Sequence, residues 1–210
     1  DVNSAIAAGA SNFYAVDFRN QTTLSEIILW GANATNDQDY PTSYIPTSGS
    51  SVTRNQDLCT NGGSLASINS TEGVLYFEGS ALVETDTNNR HISLSSGSNN
   101  DRLYFYYTQS GQFGFAAFVG NVLQANIKYD GIITNNSKVA CKYKENDYAL
   151  WVDGVEVGTD TSASVWSSGT FDRIDFSEPN GIGSPFFGKT KALAVWKEAL
   201  SDQELADLTY

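Results

Sequence analysis

The run Tyr148-Ala149-Leu150-Trp151-Val152-Asp153-Gly154-Val155-Glu156-Val157 decides the fold class. Apolar residues alternate on both sides of Asp153-Gly154, a pair suited to the positive φ angles of a two-residue type I′ turn. In that register Val152 faces Val155 and Leu150 faces Val157. Tyr148, Leu150, Val152, Val155 and Val157 then share the core face, and Trp151 and Glu156 oppose each other on the reverse face. The reading is an antiparallel hairpin.

Short segments of the same alternating kind, bounded by turn residues, surround this hairpin. They predict strands over 64–68, 73–77, 90–94, 103–108, 113–119, 122–129, 138–144, 148–152, 155–158, 173–176 and 186–196. Eleven tyrosines, eleven phenylalanines and four tryptophans, set among Gly, Ser, Asn and Thr, agree with an all-β chain. The expected architecture is a two-sheet antiparallel β-sandwich of jelly-roll type with one short C-terminal helix. Ser201 and Glu204 have the spacing of a capping box, and Leu200 and Leu205 that of a hydrophobic staple. Leu205 and Leu208 then form the helix's short apolar stripe.

The first 56 residues differ. They are turn-rich, with Pro41 and Pro46 interrupting any ladder and Glu26 to Trp30 as a single candidate strand. Residues 1–56 are expected to be an extension, or the tail of a preceding module plus a linker, and 57–210 the sandwich. The sequence starts at Asp1 and contains no methionine, which suggests a processed product or an excised fragment.

Twelve basic residues stand against 24 acidic ones, a net charge of −12. The densest basic group, Lys138, Lys142 and Lys144, alternates along one strand and reads as a solvated face. Nucleic acid and anionic membranes are therefore poor partners, and no apolar run is long enough to span a bilayer. Cys59 and Cys141 are the only cysteines. A disulfide between them is compatible with the sequence, but Cys141 alternates with Val139 and Tyr143 and reads most simply as a small buried hydrophobe.

Two stretches resemble a known family. Leu150-Trp151-Val152-Asp153-Gly154-Val155 is similar to the strand–Asp-Gly–strand hairpin of laminin-G-like and pentraxin-like domains in the concanavalin A-like superfamily. Pro185-Phe186-Phe187-Gly188-Lys189, followed by Ala194-Val195-Trp196-Lys197-Glu198-Ala199-Leu200-Ser201-Asp202-Gln203-Glu204-Leu205, looks like that family's closing signature. The resemblance covers about residues 57 to 210 and implies the sandwich fold. The phrase from Pro41 to Arg54 resembles a linker of phage structural proteins, which implies an extracellular or virion-associated parent with neighbouring domains.

Catalysis fits poorly. Retaining glucanases of this superfamily carry Glu-x-Asp-x-x-Glu, and here Arg173 stands at the first position, with Asp175 and Glu178 at the others. A guanidinium cannot act as nucleophile, and the mechanism needs two carboxyls. His91, the only histidine, is the sole candidate for a triad or a lyase His/Tyr pair, and reads instead as a partly exposed structural residue. No zinc spacing, phosphate loop or nucleophile elbow is present.

Calcium is the one cofactor in view, because the resembling families often bind it. Candidate oxygen ligands are Asp37, Asp39, the run Asn99 to Asp101, Asp147 and Asp160, although Asn and Asp in turns usually serve the backbone.

The expected function is non-catalytic, lectin-like binding of a polysaccharide or surface glycan. Sugars offer an apolar ring face and a hydroxyl rim, which aromatic platforms edged by polar side chains match. In Arg102-Leu103-Tyr104-Phe105-Tyr106-Tyr107, alternation puts Leu103, Phe105 and Tyr107 in the core and Arg102, Tyr104 and Tyr106 outside. Trp151 with Glu156, and Trp166 in its Ser-rich loop, complete the candidate carbohydrate-binding set. The alternatives are an architectural, protein-binding module of a phage or cell-surface fibre, and a glycoside hydrolase or polysaccharide lyase.

Overall fold

The computed structural model describes residues 44–53, 59, 62–81, 89–108, 112–131, 136–179, 181 and 183–210. The chain divides into two compact units, Asp1–Asp57 and Leu58–Tyr210. In the first, the described stretch 44–53 has no regular secondary structure, bends at 48–50 and is largely exposed. The candidate strand at Glu26–Trp30 lies outside the described residues.

The second unit is the sandwich. Its strands are β1 (Glu72–Ala81), β2 (Arg90–Ser95), β3 (Arg102–Tyr107), β4 (Phe113–Val119), β5 (Val122–Tyr129), β6 (Ser137–Lys144), β7 (Tyr148–Val152), β8 (Val155–Asp160), β9 (Arg173–Asp175) and β10 (Gly188–Trp196), followed by helix α1 (Asp202–Thr209). They form two five-stranded sheets, ordered β10-β1-β6-β7-β8 and β5-β4-β3-β2-β9. Every pairing between these strands is antiparallel.

The alternation seen in the sequence becomes the core. Leu75, Phe77, Val139, Cys141, Tyr143, Tyr148 and Leu150 of one sheet meet Ile92, Leu94, Leu103, Phe105, Phe113, Phe115 and Ala117 of the other. Full burial of each large apolar side chain contributes about 1.5–3 kcal/mol. Two of the core tyrosines, Tyr143 and Tyr148, find partners for their hydroxyls. Tyr143 donates to the Asn69 carbonyl at 2.6 Å and Tyr148 to the Ser164 carbonyl at 2.7 Å.

At the β7–β8 turn Asp153 and Gly154 have φ of 47° and 81°, as a type I′ turn requires. Val152 pairs with Val155 and Trp151 with Glu156, but a bulge after Leu150 sets that residue against Gly158 rather than Val157. The bulge and the edge position of β8 have a cost for the core. Val155, expected inside, is 65% exposed.

The stretch Ser64–Ile68 is a turn and not a strand. Ser67 Oγ accepts from the Ser64 amide at 2.8 Å and donates to the Ser64 carbonyl at 3.0 Å. Serine side chains here capture backbone groups that a ladder would need. Phe186 also precedes its expected strand, and instead packs edge-on against Phe77 and Phe176.

Helix α1 lies on the outer face of the first sheet. The capping box is complete: Ser201 Oγ accepts from the Glu204 amide, and the Glu204 carboxylate accepts from the Ser201 amide. Leu205 closes over Val74, Tyr76, Ala140, Ala149 and Trp151. Lys142, buried beneath, bridges Asp147 at 2.8 Å and Asp202 at 3.1 Å. Burial opposes its charge, but the two carboxylates outweigh that and raise its pKa. The Gly154 amide donates to Thr209 Oγ1 at 3.1 Å, tying the helix end to the hairpin turn.

Cys59 is exposed and Cys141 buried, and both are free thiols. Burial pushes the Cys141 thiol well up, so a native thiol titration is expected to read Cys59 alone and denaturant to reveal the second. Equal native reactivity of the two would contradict this packing.

Candidate functional site

The outer face of the second sheet follows from its register. Across β2 and β3, His91 pairs with Tyr106, Ser93 with Tyr104 and Ser95 with Arg102. Across β3 and β4, Tyr106 pairs with Gly114, Tyr104 with Ala116 and Arg102 with Phe118. On β5, Lys128 pairs with Gly114 and Asn126 with Ala116, and a bulge sets Leu123 against Phe118. Paired residues share a face, so the middle of this sheet carries a lane of small side chains between taller ones.

That relief makes a depression of about 300 Å³. Ala116 lies among its lining, with His91, Tyr104 and Tyr106 to one side and Phe118, Leu123, Asn126 and Lys128 to the other. Asn89, Thr108 and Gln112 complete it. Among the described residues the lining contains no Asp or Glu.

The rings support one another. The Tyr104 centroid is 4.5 Å from that of His91 and 6.2 Å from that of Phe118, the latter ring nearly parallel at 11°. The Arg102 guanidinium sits 3.8 Å from the Phe118 centroid and 5.5 Å from that of Tyr104, a cation–π bracket behind both. Tyr106 is spread over Gly114: a Cβ there would fall 2.6 Å from the tyrosine hydroxyl. This lets Tyr106 cross β4 and donate to Asn126 Oδ1 at 2.7 Å.

The site's titratable rings are uncharged at neutral pH. Burial lowers the His91 pKa to about 4, with Glu178 opposing and Arg102 adding to the shift. Burial, then the neighbouring Tyr104, pushes Tyr106 up to about 12. Tyr104 is raised as well, again mainly by burial. What remains is an array of neutral donors and acceptors among flat rings, with Lys128 as the only formal charge among the described residues of the lining.

Of the residues expected in the site, Tyr104, Tyr106 and Arg102 come together here. Trp151, Glu156 and Trp166 do not. Trp151 is 8% exposed and packed beneath α1 on the other sheet, and Glu156 is exposed on that sheet. Trp166 is 2% exposed, packs tilted at 4.3 Å from Phe171 and donates from Nε1 to the Phe118 carbonyl at 2.7 Å. Both tryptophans pack the fold, which corrects the platform reading.

His91, expected to be partly exposed and structural, is 9% exposed and lines the depression. Asn126 and Lys128 were missed, although they alternate with Ile127 along β5 and so shared a readable face.

The calcium candidates do not converge. Asp101 accepts from the Gly120 amide, Asp147 pairs with Lys142, and Asp160 caps Ser162. No group of three or more His, Cys, Asp or Glu suited to a metal occurs among the described residues. Asp37 and Asp39 lie outside them. In the glucanase-like run, Arg173 is bound to Asp172 at 2.8 Å, Asp175 is buried, and Glu178 accepts from Ser184 Oγ at 2.9 Å.

A family model described as the concanavalin A-like lectin/glucanases superfamily matches residues 80–206, which include the whole depression. The chain belongs to that superfamily. No curated protein sequence matches it.

Among solved structures, this superfamily member is similar to the CBM40 of the Ruminococcus gnavus IT-sialidase bound to alpha2,3 sialyllactose. That match has 18% identity and a TM-score of 0.55, over 67% of this chain and 84% of that one. The SAP-like pentraxin of Limulus polyphemus matches at 14% identity and TM-score 0.53, over 70% and 72%. The NanB sialidase of Streptococcus pneumoniae matches at 14% and 0.52, over 70% of this chain and 25% of that one. At these identities the likeness is one of fold.

Proposed function

We propose that this chain is a non-catalytic carbohydrate-binding module that receives a saccharide in the depression on the β5-β4-β3-β2-β9 sheet. The observation that carries the reading is the pairing of Tyr104, Tyr106 and Phe118 with uncharged hydrogen-bonding groups around a floor of small side chains. A sugar ring can lay its apolar face on such rings while Asn89, Gln112 and Asn126 meet its hydroxyls. The described residues of the lining include no carboxylate pair of the kind glycoside hydrolysis requires. One of the solved structures of similar fold is a module bound to a sialylated sugar, which agrees with binding as the function. Residues 57–210 are the binding module in this reading and 1–56 the end of a preceding one, in a protein that works outside the cell or on a virion.

Tyr104→Ala is expected to weaken retention on a responsive glycan array about tenfold, the loss of a stacking ring worth roughly 1–2 kcal/mol. Tyr104→Phe keeps the ring and should retain most binding. Array binding that survives Tyr104→Ala unchanged would place the ligand elsewhere.

A further inference from the structure

The charge at the depression runs against the rest of the chain. The sequence carries −12 overall, yet the described residues of the lining include no carboxylate and one lysine. Lys142, Lys144 and Lys191 are each paired with an Asp or Glu. Lys128 is exposed, lines the depression, and makes no ion pair with a described residue. It pairs across the β4–β5 ladder with Gly114, the residue that Tyr106 crosses.

We propose that the depression selects saccharides bearing a carboxylate or sulfate, with the anion against Lys128. This rests on the carbohydrate-binding reading and adds a ligand class and an orientation to it. At the opposite wall, His91 has its Nδ1 sealed from water without a partner, which leaves Nε2 as the nitrogen able to meet a ligand. On that side the Glu178 carboxylate and the Arg102 guanidinium act on His91 and Tyr104 with opposite signs, and neither is among the described lining residues, whereas Lys128 is. The neutral hydroxyl rim therefore faces His91 and Tyr106, and the anion lies at the β5 side. Phe118, Ala116 and the half-exposed Leu123 take the apolar face or an apolar substituent. A substituent that is both charged and hydrogen-bonded to Lys128 gains more than a neutral one, although solvent screens part of that gain.

The test uses matched probes with wild type and Lys128→Gln, by affinity electrophoresis. Oligogalacturonate is set against its fully methyl-esterified form, and dextran sulfate against dextran, so each anion has a neutral partner of the same backbone. The expected result is retention of one anionic probe over its neutral partner, weakened about three- to tenfold by Lys128→Gln and by raised salt, with unchanged melting. The probe that responds separates carboxylate from sulfate recognition. Equal retention of an anionic probe and its neutral partner, or an effect of Lys128→Gln no greater than on dextran, overturns the inference and leaves saccharide binding standing. Retention of no saccharide on the probe set or on a glycan array overturns both.

Discussion

Replacing Trp151 by alanine is expected to cost about 3–5 kcal/mol of stability and to leave saccharide retention untouched. The indole is buried between the sheet and α1, against Leu205, Val74 and Tyr76. Truncation opens a cavity under the helix, which Lys142–Asp202 and Thr209–Gly154 then hold with less apolar support. For a chain of this size each kcal/mol moves the melting temperature by about 2–4 °C, so a fall on the order of 10 °C is expected. Trp151→Phe separates the terms. It keeps much of the apolar contact and removes an indole N–H that is buried without a partner, so its cost should be far smaller than that of alanine. Thermal unfolding and retention measured on the same samples decide the matter. Unchanged melting with lost retention would restore Trp151 as a binding platform.

That residue also shows where reading the sequence stops. Alternation about Asp153-Gly154 places Trp151 opposite Glu156 and away from the core, and the register agrees. Parity distinguishes the two faces of a strand, but it does not tell which outer face a helix will cover. The Leu205 and Leu208 stripe had to dock on one of two sheets, and tertiary contact chose the one bearing Trp151. Trp166 failed for a different reason. Its serine neighbours suggested an exposed loop, yet the indole N–H finds the Phe118 carbonyl and the ring finds Tyr143 and Phe171.

The same parity succeeds on β3, whose outer face stayed open. Tyr104 and Tyr106 therefore reach the depression with Arg102 behind them. The strands Phe113–Val119 and Val122–Tyr129 were legible residue for residue because each has a clear alternating pattern and a glycine–asparagine turn between them. The floor of the depression at Ala116, and the Gly114 position that Tyr106 crosses, were written there too. Small residues carry no chemistry of their own, and their meaning appears only when the taller neighbours on adjacent strands are in register.

Gly114→Ala is the most direct way to disturb the Tyr106 wall. An added Cβ would lie 2.6 Å from the Ile127 carbonyl oxygen and 2.6 Å from the Tyr106 hydroxyl, both too close for any carbon. The backbone of β5 must retreat, the tyrosine must lift, or both. Overpacking of this kind costs roughly 1–3 kcal/mol, and lifting Tyr106 also breaks its 2.7 Å bond to Asn126. Retention should fall at least about tenfold, because a wall of the depression and its rim amide move together. The Tyr106→Ala background assigns the cause through a double-mutant cycle. If the ring is the main obstacle, Gly114→Ala costs clearly less stability when Tyr106 is already alanine. If the two effects add, the clash is with the β5 backbone alone, and Gly114 is there for strand pairing and has no part in positioning the tyrosine.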